Sequence, residues 1–340
     1  MRGLVIKSTG SSYIVRMDDG SDVECRIKGN FRIRGIRSTN PIAVGDYVIV
    51  ESQKSKDRPS DSKTLSTLSD SGLSTLSPQG GLSFWITDVC ERRNYIIRRS
   101  TNLSKESHIL AANIDQVALI VTINHPVTST TFIDRFLATC EAYRVRAILI
   151  FNKIDLLTQD ELAQLADLRA LYESIGYETL ELSAISLQPS ELLPLLAGKT
   201  TLLSGNSGVG KSTLLNALFG KEMTRTGKIS DAHDKGMHTT TFSEMYFLSP
   251  LEGELEGVSA VIDTPGIKGF GTIDFERDEV SHYFREIFEA GRECRFSNCT
   301  HTNEPGCAVQ DKLITGDIAI SRYESYLSIL NDATEGKYRG

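Results

Sequence analysis

The sequence has no apolar run that approaches about 18 residues, which excludes a membrane-crossing helix, and residues 1–20 contain no signal-peptide core. A cytoplasmic protein with no membrane partner is the expectation. Excess positive charge is lacking too: 37 Lys and Arg stand against 44 Asp and Glu, for a net charge of −7. Without a global nucleic-acid footprint, only a local basic stretch can carry such a claim. Cysteine is sparse and uneven. Of six cysteines, Cys294, Cys299 and Cys307 fall close together while Cys25, Cys90 and Cys140 are scattered. In a reducing compartment the cluster suggests a metal, and the isolated thiols suggest small buried hydrophobes.

What is present is a soluble globular composition, 40% hydrophobic and 24% charged, over 340 residues. That length suits two or three domains, each with its own core. Residues 1–50 alternate in short stretches, "LVIKS", "SYIVRM", "DVECRI" and "AVGDYVIVES", separated by turn residues, as in a small antiparallel barrel. "FWITDVCERRNYIIRRS" (84–100) supplies its closing strand and an exit segment. Between them, residues 54–81 are rich in Ser, Thr, Asp and Gly and partly self-repeating, so they read as a disordered insertion between two strands.

From about residue 112 the pattern changes. "QVALIVTI" (116–123), "VRAILIFN" (145–152) and "AVIDTPG" (260–266) are continuous apolar runs suited to strands covered on both faces. Helical patterns lie between them at 131–144, 159–176 and 211–220, giving an α/β domain with a mainly parallel sheet. The last fifty residues read as helical on either side of the Cys/His cluster.

"GNSGVGKS" (205–212) fits G-x-x-x-x-G-K-[ST] after an apolar strand and before an amphipathic helix. A Gly-rich turn ahead of a helix is the bland alternative. In the functional reading, backbone N–H groups of Gly205, Asn206, Ser207, Gly208, Val209 and Gly210 curl around phosphates, and Ser212 and Thr213 open the helix. Lys211 reaches the β- and γ-phosphates and acts in catalysis, and the Ser212 hydroxyl ligates Mg²⁺. The base is read elsewhere. "NKID" gives Asn152, Lys153, Ile154 and Asp155 at the carboxyl end of a strand. Asp155 can accept from the N1–H and exocyclic amine of guanine, Asn152 can bond the other edge, and the Lys153 stem can lie along the ring. "LELSAIS" adds Ser183 and Ala184, with the Ala184 N–H aimed at the base oxygen. In "DTPG", Asp263 holds Mg²⁺ through water and the Gly266 N–H contacts the γ-phosphate.

"HTTT" (238–241) lies between the phosphate loop and that strand. Thr240, or Thr239, can ligate Mg²⁺ when a γ-phosphate is present. Many small GTPases place a water-orienting Gln after Asp–x–x–Gly; here the position is Ile267, which cannot orient water. His238 is the internal candidate for that role, against the plainer reading of a solvated loop histidine.

The order NKID, SA, phosphate loop, HTTT, DTPG is that of a circular permutation. Because nucleotide contacts come from loops at strand carboxyl ends, spatial strand order matters and chain order does not. The cut lets DTPG run directly into the cysteine-bearing segment, so nucleotide state is expected to move the C-terminal module through this tether. That segment, "CRFSNCTHTNEPGC", places Cys294, Cys299, His301 and Cys307 within fourteen residues. Four thiolate and imidazole donors suit one closed, structural Zn²⁺ site; a disulfide with a spare thiol is the alternative. In the barrel, "RIKGNFRIRGIR" carries Arg26, Lys28, Arg32, Arg34 and Arg37 with Phe31 and no acid, which suits RNA or a solvated β face.

With these motifs laid out, the chain resembles the RsgA or YjeQ family of ribosome small-subunit-dependent GTPases over nearly its whole length. The resemblance implies three units: an OB-fold barrel (1–100), a circularly permuted P-loop GTPase (101–273) and a mainly helical zinc-binding domain (274–340). It also implies a monomeric late assembly factor that binds the 30S subunit and its 16S rRNA. Such a factor hydrolyses GTP to GDP slowly alone and faster on the subunit, then leaves. The family's catalytic histidine maps onto His238. The insert 54–81 departs from the compact family barrel. The rival reading is a nucleotide-gated RNA-binding scaffold whose hydrolysis is incidental.

Overall fold

The computed structural model describes residues 1–9, 12–27, 41–54, 82–99, 107–186, 189–219, 243–248, 259–264 and 275–335. Five strands form the N-terminal barrel: β1 (Arg2–Ser8), β2 (Tyr13–Met17), β3 (Asp22–Ile27), β4 (Tyr47–Lys54) and β5 (Leu82–Val89). They pair in the order β1-β2-β3-β5-β4, and β4 returns to β1, which closes the ring. The alternation read from the sequence sorts the side chains. Val5, Tyr13, Val15, Val23, Cys25, Val48, Val50 and Ile86 fill the interior. Burial pushes the Cys25 thiol up to about 12, which makes it an inert packing residue. The expected insertion joins β4 to β5, whose ends pair at Lys54 and Leu82. Its residues 55–81, and the basic stretch beyond Ile27, lie outside the described residues.

A hairpin of β6 (Tyr95–Arg99) and β7 (Ser107–Ala112) follows and straddles residue 100, where the sequence reading places a domain boundary. The hairpin fastens the barrel to what comes next. Gly45 sits at φ 93°, and a Cβ there would lie 2.1 Å from the Ala112 carbonyl oxygen, so only glycine permits this approach. Beside it, buried Asp46 accepts from Arg92 Nε at 2.6 Å and Nη2 at 2.7 Å.

The central domain runs β8 (Gln116–Val121), α1 (Thr130–Ala142), β9 (Arg146–Asn152), α2 (Gln159–Ser174), β10 (Glu178–Leu182), α3 (Pro189–Leu196), β11 (Thr200–Gly205), α4 (Lys211–Phe219), β12 (Ser243–Leu248) and β13 (Ser259–Asp263). Its strand order is β10-β9-β8-β11-β13-β12, parallel except for β12. Every residue of β8 is buried, as its unbroken apolar run requires. One face packs on α1 and α2 through Phe136, Leu137, Leu165 and Tyr172; the other packs on α3 and α4 through Leu192, Leu196, Leu214 and Leu215. The strand that carries the phosphate loop, β11, enters late in the chain yet lies between β8 and β13. That is the permutation seen in space.

Strand β12 was not read from the sequence, and it has a second partner. It pairs antiparallel with β1 of the barrel, Lys7 opposite Glu244 and Ser8 opposite Ser243. The two sheets therefore form one eleven-stranded sheet. A Lys7–Glu244 ion pair at 3.0 Å and the Arg16 guanidinium 4.4 Å from the centre of the Phe247 ring reinforce the seam.

The C-terminal module contains α5 (Arg285–Gly291), α6 (Ala308–Thr315) and α7 (Ile320–Glu335), with a core of Phe284, Ile287, Val309, Tyr326 and Ile329. It packs on α1 across a buried ion network. Arg322 Nη1 donates to Asp134 Oδ1 at 2.8 Å, and its Nε and Nη2 donate to Glu286 at 2.7 and 3.1 Å. Attachment is thus broader than the tether inferred from the sequence, whose residues 265–274 lie outside the described residues.

Candidate nucleotide cleft and metal centre

The phosphate loop opens at the carboxyl end of β11. Gly208 and Gly210 take φ of 85° and 102°, conformations that turn successive N–H groups to one side. Lys211 lies over this loop, with Nζ donating to the carbonyl of Gly205 and, at 2.9 Å, to that of Asn206. Burial pushes its ammonium down to about 8, while the nearby Asp263 pulls the other way. Asp263 ends β13, is itself buried, and stands level with Leu203 of β11. Lys211 and Asp263 of the two phosphate motifs thus lie near enough for their charges to act on each other.

Asn152 joins the base-reading loops to the phosphate loop. Only 3% exposed, it donates from Nδ2 to the Val209 carbonyl at 2.7 Å and accepts at Oδ1 from the Ala184 N–H at 2.9 Å. A Cβ on Gly210 would lie 2.3 Å from Nδ2, so glycine is required there for the amide to fit. The sequence reading gave Asn152 and the Ala184 N–H to guanine. Here they bond each other, and Asn152 knits NKID, SA and GNSGVGKS into one unit. Lys153 takes φ 66°, Asp155 is exposed in a short 3-10 turn (Ile154–Leu156), and Ser183 is buried at the end of β10. Ser212 and Thr213 open α4. His238, Thr239, Thr240, Gly266 and Ile267 lie outside the described residues.

The second cluster is in the C-terminal module. Donor atoms of Cys294, Cys299, His301 and Cys307 lie within 4.8 Å of one another. Cys294 Sγ and Cys307 Sγ are 3.9 Å apart, and His301 Nδ1 is 3.5 and 3.6 Å from them. Tetrahedral coordination with ordinary Zn–S and Zn–N bonds puts such atoms about 3.8 and 3.6 Å apart. The donor set fits Zn²⁺, and no two sulfurs are at disulfide distance; all six cysteines are free. Burial lowers the pKa of His301, keeping the imidazole neutral and able to ligate.

Sequence reasoning missed the residues that hold this loop. Glu304 accepts at Oε1 from the Thr300 N–H and hydroxyl at 2.8 and 2.6 Å, and at Oε2 from the N–H groups of Thr302 and Asn303 at 2.9 and 3.1 Å. Burial alone would raise its carboxyl, yet these hydrogen bonds hold it down at about 2. The His301 carbonyl accepts from Gln310 and Tyr323, each at 2.7 Å, and the Thr300 carbonyl accepts from Tyr326 at 2.7 Å. "NEPG" reads only as a turn in sequence, because the partners of Glu304 are backbone groups that no residue pattern advertises.

With the permuted sheet, the phosphate loop and the Cys₃His cluster in place, comparison decides the family. Residues 89–273 match the RsgA GTPase family, and residues 2–57 match the RsgA N-terminal domain. The chain belongs to the RsgA GTPase family. A relative from Phocaeicola vulgatus, named small ribosomal subunit biogenesis GTPase RsgA, is 54% identical over 100% of this chain and 99% of its own. A protein of the same name from Porphyromonas gingivalis is also 54% identical over the same shares. The crystal structure of YjeQ from Thermotoga maritima superposes with a TM-score of 0.68 at 29% identity, covering 98% of each chain. YloQ, described as a circularly permuted GTPase, does so with 0.63 at 27% identity, over 98% of this chain and 95% of YloQ. Among the described residues no helix is long and apolar enough to cross a membrane.

Proposed function

We propose that this chain is a GTP-hydrolysing maturation factor of the small ribosomal subunit, docking with GTP bound and leaving after hydrolysis. The observation that carries the reading is Asn152, whose two hydrogen bonds set the base-reading loops and the phosphate loop at fixed separation. A site built that way suits one purine nucleotide, and Asp155 selects guanine. Gly205, Asn206, Ser207, Gly208, Val209, Gly210 and Thr213 cradle the phosphates. Ser212, Asp263 and Thr240 serve Mg²⁺, which would neutralise charge on the leaving phosphates. His238 orients the attacking water. Cys294, Cys299, His301 and Cys307 hold a structural Zn²⁺ with no position left for substrate. The barrel of residues 1–100 contacts 16S rRNA through Arg26, Lys28, Arg32, Arg34 and Arg37, the GTPase occupies 101–273 and the zinc module 274–340. The protein works as a cytoplasmic monomer.

The deciding experiment measures GTP hydrolysis with and without purified small subunits, in wild type and His238→Ala. Strong stimulation by the subunit, lost in the variant, is expected. Stimulation that survives moves the water-orienting role elsewhere. GTP-dependent docking without stimulation overturns the timer and leaves a nucleotide-gated scaffold.

A further inference from the structure

One segment at the mouth of the nucleotide cleft belongs to none of the motifs: residues 123–128, after β8. It is tightly bonded within itself. The Thr122 hydroxyl donates to the Pro126 carbonyl at 2.5 Å, Thr128 Oγ1 accepts from the Thr122 N–H at 3.1 Å, and the Thr128 N–H donates to the Thr122 carbonyl at 3.0 Å. Asn124 ties it outward. Its Oδ1 accepts from the His125 N–H at 2.9 Å, and its Nδ2 donates to Glu161 Oε1 at 2.7 Å. Glu161 also closes the capping box of α2, where Oε2 accepts from the N–H and hydroxyl of Thr158 at 2.8 and 3.0 Å. The segment is thereby fixed to the helix that follows NKID.

Two contacts run from it into the cleft. Lys153 Nζ donates to the His125 carbonyl at 2.5 Å. On the other side, a Cβ built on Gly208 would lie 3.5 Å from Pro126 Cδ, so the strap rests against the phosphate loop. A lysine stem of four methylenes swings freely unless its end is held. Here a carbonyl at a set distance from the phosphate loop holds it.

We propose that Asn124–Pro126 is a strap that lays Lys153 along the purine, with Asn124 as the positioning residue. The proposal rests on the reading of NKID as a guanine-binding loop and adds the groups that make Lys153 effective there. Glu161 thus has two jobs, capping α2 and holding the strap through Asn124. Only the second bears on nucleotide recognition.

The test is competition binding of GDP, ADP and inorganic triphosphate to the full chain. Asn124→Ala should weaken GDP about 3- to 10-fold, the worth of one hydrogen bond, while inorganic triphosphate, which reaches only the phosphate loop, competes as in wild type. Glu161→Ala should repeat that pattern, and Glu161→Gln, whose amide oxygen still accepts from Asn124, should keep most of the affinity. Thr158→Ala removes the cap hydroxyl but leaves the residue 158 N–H on Glu161 Oε2 and Asn124 on Oε1, so it should lower the melting temperature without changing the ratio of GDP to triphosphate affinity. Unchanged GDP binding in Asn124→Ala overturns the strap, as does a loss shared equally by triphosphate. Wild type binding ADP as tightly as GDP is a different failure, of the guanine reading itself, and it takes the strap down with it.

Discussion

Replacing Arg322 by alanine should cost about 3–5 kcal/mol of stability, the range for breaking a buried ion pair from one side. The side chain is 1% exposed and lies between two carboxylates, with three charge-assisted hydrogen bonds at 2.7 to 3.1 Å and its guanidinium 4.6 Å from the centre of the Phe284 ring. Each such bond contributes roughly 1.5–3 kcal/mol when made, and truncation leaves Asp134 and Glu286 without their cation. Burial already raises the Asp134 pKa, against the pull of Arg322. Without the arginine it should take up a proton, which keeps the loss below the sum of the three bonds. The assay is urea unfolding followed by far-UV circular dichroism, because α1, α5 and α7 meet at this network. A control replaces the charges together with the buried Tyr172 hydroxyl that donates to Asp134 at 2.9 Å: Arg322→Met with Asp134→Leu, Glu286→Met and Tyr172→Phe should recover most of the stability, since hydrophobic packing replaces paired charges at little net cost. A loss below about 1 kcal/mol in Arg322→Ala would refute the idea that this network clamps the module to α1.

Asn152→Ala should destabilise the chain by about 2–4 kcal/mol, by orphaning the Val209 carbonyl and the Ala184 N–H, and should weaken GTP binding; urea unfolding and nucleotide titration check the two separately. Lys211, held at about 8 by burial, loses its charge as pH rises through that value, and bound phosphates raise its pKa again. GTP affinity should therefore be flat below pH 8 and fall above it by up to about tenfold per unit, with proton uptake visible by calorimetry in buffers of different ionisation heat. Glu304→Ala should loosen the Cys₃His loop and speed zinc loss to a chromophoric chelator, with metal affinity down about 10- to 100-fold.

The fold was legible wherever a local pattern carried it. Alternation in "YIVRM" and the unbroken run in "QVALIV" predict strands of the kinds observed, and the Cys and His spacing predicts a cluster that does converge. The phosphate loop and NKID announce their own flanks. What stayed hidden depends on partners distant in sequence. "SEMYFL" becomes a strand through β13 on one side and the barrel on the other, and neither neighbour is visible from its own six residues. The bonds of Asn152 to Val209 and Ala184 exist only once three loops meet, so its role as the link between them cannot be read from NKID. Nothing near Arg322 in sequence tells that Asp134 lies across the interface.

The seam between β1 and β12 also fixes an order of assembly. Ser8 must wait for Ser243, so as the chain emerges from its own ribosome the barrel can close through β1–β4 and β1–β2 long before its sheet finds the other half. Strands β8, β9 and β10 come next as a parallel trio with one side of β8 bare, until β11 arrives to cover it. Only then do β12 and β13 fill the gap towards the waiting barrel. By chain order the last strand to arrive is β13, which slots between β11 and β12 and so joins the nucleotide sheet to the strand that reaches the barrel.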